Sequence, residues 1–298
     1  MNSQRTLIGI LVILAVSVGF AFGNTLASLS YASGSGPLAV STTRFVLPAI
    51  ILIGLLLVSG KSILLPRRDG LIAMGLGFVT VIYSWSILSA IELLPVSLAI
   101  LIFFLFPVFT SLIIAILGWE TLRPATVIAA VVAFGGLSLA LGVSADSLRL
   151  SGVVLAAIGA LGLAIVSVVS SRVIKAGDSR QVTLYLVTTA AVSFAVISLF
   201  KGEFLLPQSS IGWWSFLGSN LLFAGAMIGF FVGISMIGPV KATLFSYIEP
   251  LVTIAAAFLI LGQSLFPLQI LGVVIVVGAL VMAGLMSLRN TGPTHTES

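Results

Sequence analysis

Eight acidic residues are scattered through 298 positions, and one of them, Glu249, falls inside a long apolar stretch. About nine residues of that stretch precede it, which places it roughly 13 Å deep at the helical rise per residue. A charge at that depth costs about 2.5–3.5 kcal/mol on insertion scales and needs a partner, a proton or a water-filled cavity. Such a carboxylate could bind a proton or cation, or accept a hydrogen bond from a substrate amine. A structural role stands beside these. Pro250 has no N–H, so the carbonyl of Ser246 loses its usual helical donor, and a protonated Glu249 or a water could serve it.

Arg44 is the one basic residue placed inside an apolar stretch rather than at its rim. Seven residues after Pro37, it sits roughly 10 Å in. It could hold a substrate carboxylate bidentately, snorkel outward, or pair with a backbone carbonyl or with Glu249. Lys241, Phe245 and Glu249 follow at i, i+4 and i+8 and so share a helical face. Lys241 either snorkels from the end of its span or acts as an anion gate. Tyr83 and Tyr247 offer aromatic surface with a polar tip; Thr80, Tyr83 and Ile87 share a face from which Trp85 points away. Asn24, Ser167 and Asn220 are polar at depth, where each either lines a pathway or makes an interhelical hydrogen bond. The candidate pathway set is therefore Asn24, Arg44, Tyr83, Ser167, Asn220, Lys241, Tyr247 and Glu249.

Other chemistry is missing its parts. The chain has no cysteine, and its single histidine, His295, is in a polar tail. Disulfides, thiolate metal sites, cysteine nucleophiles and histidine-based triads are thereby removed, and no cofactor or metal is expected. Gly60-Lys61-Ser62 looks like the end of a phosphate-binding loop, but that pattern requires glycine at position 55, which is Leu55.

The elements that must position these residues are membrane spans. Hydrophobic residues make up 59% of the chain and charged residues 7%, against roughly 25% charged in a soluble domain. Stretches of about 20 apolar residues cross a bilayer core as helices. They occur at about 6–28, 37–59, 70–92, 95–117, 124–143, 151–173, 180–200, 211–236, 240–261 and 268–288. With the N-terminus inside, ten Lys and Arg residues fall on the cytoplasmic side and three (Arg44, Arg149 and Lys201) on the other. That bias predicts both termini in the cytoplasm, and it accounts for the basic pI without nucleic acid. Arg5 before an apolar run could open a signal peptide, but the run is too long for one and is read as a span. Residues 289–298 are read as a disordered tail. Trp213-Trp214 read as an interfacial anchor, and Gly152, Ala156, Gly159 and Ala160 as a close-packing face.

An internal repeat organises the spans. At an offset of 143–144 residues Pro95 matches Pro239, Pro107 matches Pro250, Gly118 matches Gly262, Pro124 matches Pro267 and Gly135 matches Gly278. Each half carries five spans, and an odd number inverts the second half relative to the first. The predicted fold is all-α, with ten transmembrane helices as two inverted five-helix repeats over residues 1–145 and 146–288. Inverted repeats let a protein rock between inward- and outward-open shapes around a central site.

The stretch Gly238-Pro-Val-Lys-Ala-Thr-Leu-Phe-Ser-Tyr-Ile-Glu-Pro250, continuing to Leu261-Gly262-Gln263, resembles the penultimate-span signature of the drug/metabolite transporter superfamily, EamA type. Pro107 through Leu117-Gly118-Trp119-Glu120 is similar to the same signature. Phe22-Gly23-Asn24-Thr25 resembles the Trp-Gly-polar motif of span one, and Pro37 followed by Arg44-Phe45 the Pro…Arg-Phe pattern of span two. Three positions depart from it: Phe22 stands for Trp, Gln263 for Glu, and Phe106 occupies the place equivalent to Glu249. The resemblance implies a core pathway between spans 1–4 and 6–9, with spans 5 and 10 peripheral. It also implies a secondary transporter in the bacterial inner membrane that moves small metabolites, amino acids among them, often outward. Protons are a candidate coupling ion through Glu249. Two alternative readings stand beside transport: a structural or assembly membrane protein, which would not need a central charged site, and a membrane enzyme, which would want paired carboxylates, a metal cluster or an activated nucleophile.

Overall fold

The computed structural model describes residues 3–119, 124–142, 149–176, 178–261 and 266–289. Glu120, Arg123, Gly262, Gln263 and the tail from 290 lie outside the described residues. All regular structure among the described residues is helical. In chain order the helices are α1 (Ser3–Ala32), α2 (Pro37–Val58), α3 (Arg67–Leu93), α4 (Val96–Phe103), α5 (Phe106–Ile116) and α6 (Pro124–Ala140). The second half contributes α7 (Leu150–Ala176), α8 (Ser179–Lys201), α9 (Ser210–Ile237), α10 (Pro239–Phe245), α11 (Ile248–Leu261) and α12 (Pro267–Arg289). Eight stretches, with α4 and α5 taken together, are long and apolar enough to cross a membrane, and α6 is a shorter apolar helix.

The segments expected at 95–117 and 240–261 are each two helices. The first is interrupted at Phe104–Leu105 and the second at Ser246–Tyr247. The prolines explain the restart. Pro107 sits in the first turn of α5 and Pro250 in the first turn of α11, where a missing N–H costs no helical bond. The carbonyl of Ser246 is not left bare, contrary to the expectation from the sequence. The chain tightens by one residue, and the N–H of Glu249 donates to it at 3.0 Å. The same break ends the continuous face expected for Lys241, Phe245 and Glu249, because Lys241 belongs to α10 and Glu249 to α11.

The principal packing pairs join the two halves: α1 with α9, α2 with α8, α3 with α7, and α6 with α12. Without a hydrophobic force between helices in lipid, close approach depends on small residues. Along α1 and α9, Gly9 faces Ile237, Gly233 faces Ile13, and a side chain at Gly229 would meet Val16 at 2.6 Å. In α7, Gly152 faces Leu94 and Gly162 faces the Cβ of Tyr83, so the small-residue face read from the sequence is a packing face. In α12, Gly272 lies directly on the backbone of Gly136 and Ala140 of α6. The α6–α12 pair touches the other helices only lightly. Phe45 of α2 stacks on Phe194 of α8, ring centroids 5.7 Å apart and nearly coplanar in orientation at 5°.

Candidate functional site

Glu249 lies in the first turn of α11. A helix N-terminus presents unpaired N–H groups and the positive end of the dipole, so the break that Pro250 permits also favours a carboxylate at this depth. The side chain is half-buried. Its Oε1 accepts a hydrogen bond from Nδ2 of Asn24 on α1 at 3.3 Å. Asn24 is exposed although it lies about eight residues, roughly 12 Å, from the end of its helix. The pair therefore borders accessible space and is not sealed in a core.

One residue before Asn24, the carbonyl of Gly23 accepts from Nη2 of Arg44 at 3.2 Å. The same nitrogen reaches Oγ of Ser219 on α9 at 3.0 Å, and the guanidinium lies 5.1 Å from the ring centroid of Phe223. Gly23 itself faces α9, where an added Cβ would meet Leu222, the Phe223 nitrogen and the Ser219 carbonyl at ordinary contact distances of 3.5 Å. Arg44 and Glu249 form no ion pair among the described residues. They are instead tied to consecutive residues of α1, one through a backbone carbonyl and the other through a side-chain amide. Of the roles open to Arg44, the carbonyl contact is the one observed.

Opposite the polar groups stands an aromatic wall. Phe103, Phe104 and Phe106 meet at 5.5–6.0 Å between ring centroids, Tyr83 lies 6.4 Å from Phe103, and Tyr247 lies 6.0 Å from Phe104. Tyr247 is fully buried, and its hydroxyl has no hydrogen-bond partner. Trp85 is away from this wall, under the ammonium of Lys201 at 4.6 Å.

Two candidates turn inward on their own helices. The hydroxyl of Ser167 donates to the carbonyl of Leu163 at 2.8 Å, and Nδ2 of Asn220 donates to the carbonyl of Phe216 at 2.7 Å. Neither bond is interhelical, although Oδ1 of Asn220 is buried without a partner. Lys241 is half-buried near the start of α10, on the other side of the break from Glu249. The structure thus gathers Asn24, Arg44 and Glu249 around α1 and places Tyr83 and Tyr247 on the wall. Sequence reasoning missed Ser219, Phe223, Phe103 and Phe104. The last two had a signal, an aromatic pair just ahead of Pro107; Ser219 had none beyond its neighbour Asn220.

Comparison with known proteins settles the family. The model of the EamA-like transporter family matches residues 7–142 and again residues 150–285. The chain belongs to this family. It is a multi-pass membrane protein, and its family agrees with the resemblance read from Gly238–Gln263 and its first-half counterpart. A relative in Bacillus subtilis (strain 168), "Uncharacterized transporter YyaM", is 30% identical over 128 residues, spanning 41% of this chain and 41% of that protein. A crystal structure of a protein superposes with a TM-score of 0.78 over 98% of this chain and 100% of the other, at 22% identity. A likeness at that identity speaks for the fold alone.

Proposed function

We propose that this EamA-family chain is a secondary exporter of small amphipathic metabolites, amino acids or related solutes, working by alternating access. The reading places ten helices in two inverted five-helix repeats, residues 1–145 and 146–288, in a bacterial inner membrane with both termini cytoplasmic. The packing pairs support that symmetry. Exchanging the halves turns the α1–α9 pair into the α7–α3 pair and returns α2–α8 and α6–α12 to themselves. Interrupted helices at the centre, α4–α5 and α10–α11, are where inverted-repeat transporters place their substrate sites.

The observation that carries the functional reading is the accessible Asn24–Glu249 pair beside Arg44. Glu249 would accept from a substrate ammonium or bind the coupling proton, and the Arg44 guanidinium would face a substrate carboxylate. The aromatic wall of Phe103, Phe104 and Tyr83 would take an apolar side chain. A proton on Glu249 would compete with the substrate amine for the same oxygen, which couples release on one side to proton entry from the other.

The test is solute flux in proteoliposomes across a metabolite panel, guided by a screen for metabolite tolerance in cells overexpressing the chain. Export of at least one amphipathic solute, driven by a proton gradient, is expected. Absence of flux across the panel would reject transport of this class. A Glu249→Gln protein that transports with unchanged pH dependence would reject the proton role.

A further inference from the structure

Helix α8 packs against both α2 and α3, while α2 and α3 scarcely touch each other. That arrangement leaves a groove with α8 as its floor. The floor lies close because Gly77 of α3 admits Thr189: a side chain at position 77 would meet Thr189 Cβ at 2.5 Å and the Leu186 carbonyl at 2.7 Å. The resulting cavity has a volume of about 340 Å³. Ile53 and Met74 form its walls, Leu184, Thr188 and Thr189 its floor, and Ile63 stands at its mouth. Ile53, Met74 and Thr188 are exposed, so the groove opens on the outer, apolar surface of the helix bundle.

The mouth has a different chemistry. Lys61, Arg67 and Arg68 are exposed in the segment that contributes Ile63 to the lining, against one carboxylate in the same segment, Asp69. Arg67 and Met74, two helical turns apart, share a face of α3, with the charge roughly 10 Å above the apolar wall. Asp178 is joined to Arg180 at 2.6 Å and also feels the charge of Lys61, and Arg180 Nη1 reaches Ser59 Oγ at 3.0 Å. Exposed cations therefore stand at the end of an apolar trough between helices that do not close on each other.

We propose that this groove seats an acyl chain of an anionic phospholipid, with its phosphate held among Lys61, Arg67 and Arg68. A zwitterionic lipid would gain the trough but not the rim, since clustered Lys and Arg beside spans select anionic headgroups. The site is separate from the Glu249 cluster, and it holds whatever the transported solute is.

Titrating the full chain in neutral detergent with phosphatidylglycerol, phosphatidylcholine and inorganic phosphate, with bound ligand read by native mass spectrometry, tests the assignment. Phosphatidylglycerol should bind at least about tenfold more tightly than phosphatidylcholine, as three basic contacts imply. Replacing Lys61, Arg67 and Arg68 together by Gln should erase that difference. Thr188→Trp, which fills the trough from an exposed position, should weaken both lipids while leaving the charges intact. Equal binding of the two lipids overturns the proposal, as does lipid binding untouched by Thr188→Trp. Inorganic phosphate binding as tightly as the lipid would do the same, since the trough would then contribute nothing. A dimer in place of bound lipid would assign the groove to a second copy.

Discussion

Phe104 and Tyr247 face each other across the centre of the molecule, ring centroids 6.0 Å apart at 31°. Each stands three residues before the proline of its half, Pro107 or Pro250, so they are equivalents under the 143-residue offset. Under the proposed inverted repeat, such a pair would lie near the axis relating the two halves. Two positions further on, the equivalence ends: Phe106 is buried and apolar, and Glu249 is half-buried and carries a carboxyl group. The polar groups gathered beside it come from both halves, Asn24 of α1, Arg44 of α2 and Ser219 of α9.

The Asn24–Glu249 bond joins an amide donor to a half-buried carboxyl oxygen, and leaving such a group without its partner costs about 1–3 kcal/mol. Asn24→Ala and Glu249→Gln are each expected to lower the initial rate of solute flux roughly tenfold or more, with the double variant little worse than the poorer single. Flux in proteoliposomes at matched protein density checks this; additive losses would show that the two residues act apart.

Arg44 holds Gly23 and Ser219 through one planar nitrogen while lying over Phe223, an arrangement a lysine cannot copy. Arg44→Lys should therefore behave like Arg44→Gln rather than like the parent chain. Ser219→Ala, which removes one of the contacts, should cost about 1 kcal/mol and leave flux measurable. Thermal unfolding in detergent, read beside flux, separates the three; a fully active Arg44→Lys would contradict the assignment.

Helix contacts without room for a methyl group make a sharper stability test. Gly77→Ala places a carbon against Thr189 and the Leu186 carbonyl, and Gly272→Ala places one against the Gly136 and Ala140 backbone. Overpacking of this kind costs about 1–3 kcal/mol. Gly75→Ala, in the same helix with open space around it, should be neutral. The unfolding temperature should fall most for Gly272→Ala, which only backbone opposes, less for Gly77→Ala, and hardly at all for Gly75→Ala.

Asp178 caps α8, its side chain accepting from the Arg180 N–H at 2.9 Å, and hydrogen bonding to the Arg180 guanidinium holds its carboxyl below the usual value of 3.8. A depressed value means that the charged form is favoured in the folded state. Its stabilisation is present above the unfolded value and is lost as pH falls through the folded one. Asp178→Asn retains the cap and loses the charge, so the two proteins should differ by under about 1 kcal/mol at neutral pH. The difference should begin to shrink below about pH 4, where the carboxylate protonates in the unfolded chain, and vanish only once pH has fallen below the depressed folded value. Asp178→Ala, which loses the cap itself, should cost about 1 kcal/mol at any pH. Unfolding temperatures of all three between pH 3 and 7 decide the point.

Composition and proline spacing by themselves determined the helical membrane class, the order of the spans and the depth of Arg44 and Glu249. These are properties of one dimension: a helix rises a fixed distance per residue, and lipid rejects a polar surface. The same logic could not locate the contacts between spans. It left Arg44 free to pair with Glu249, whereas the fold ties Arg44 to Gly23 and Ser219 and ties Glu249 to Asn24. It read α10 and α11 as one helix with a stranded carbonyl, whereas a local tightening lets Glu249 satisfy Ser246 with its own N–H. Side-chain partners more than 170 residues apart depend on how closely α1, α2, α9 and α11 approach. That distance is set by glycines meeting particular neighbours, information that exists only once the helices are packed.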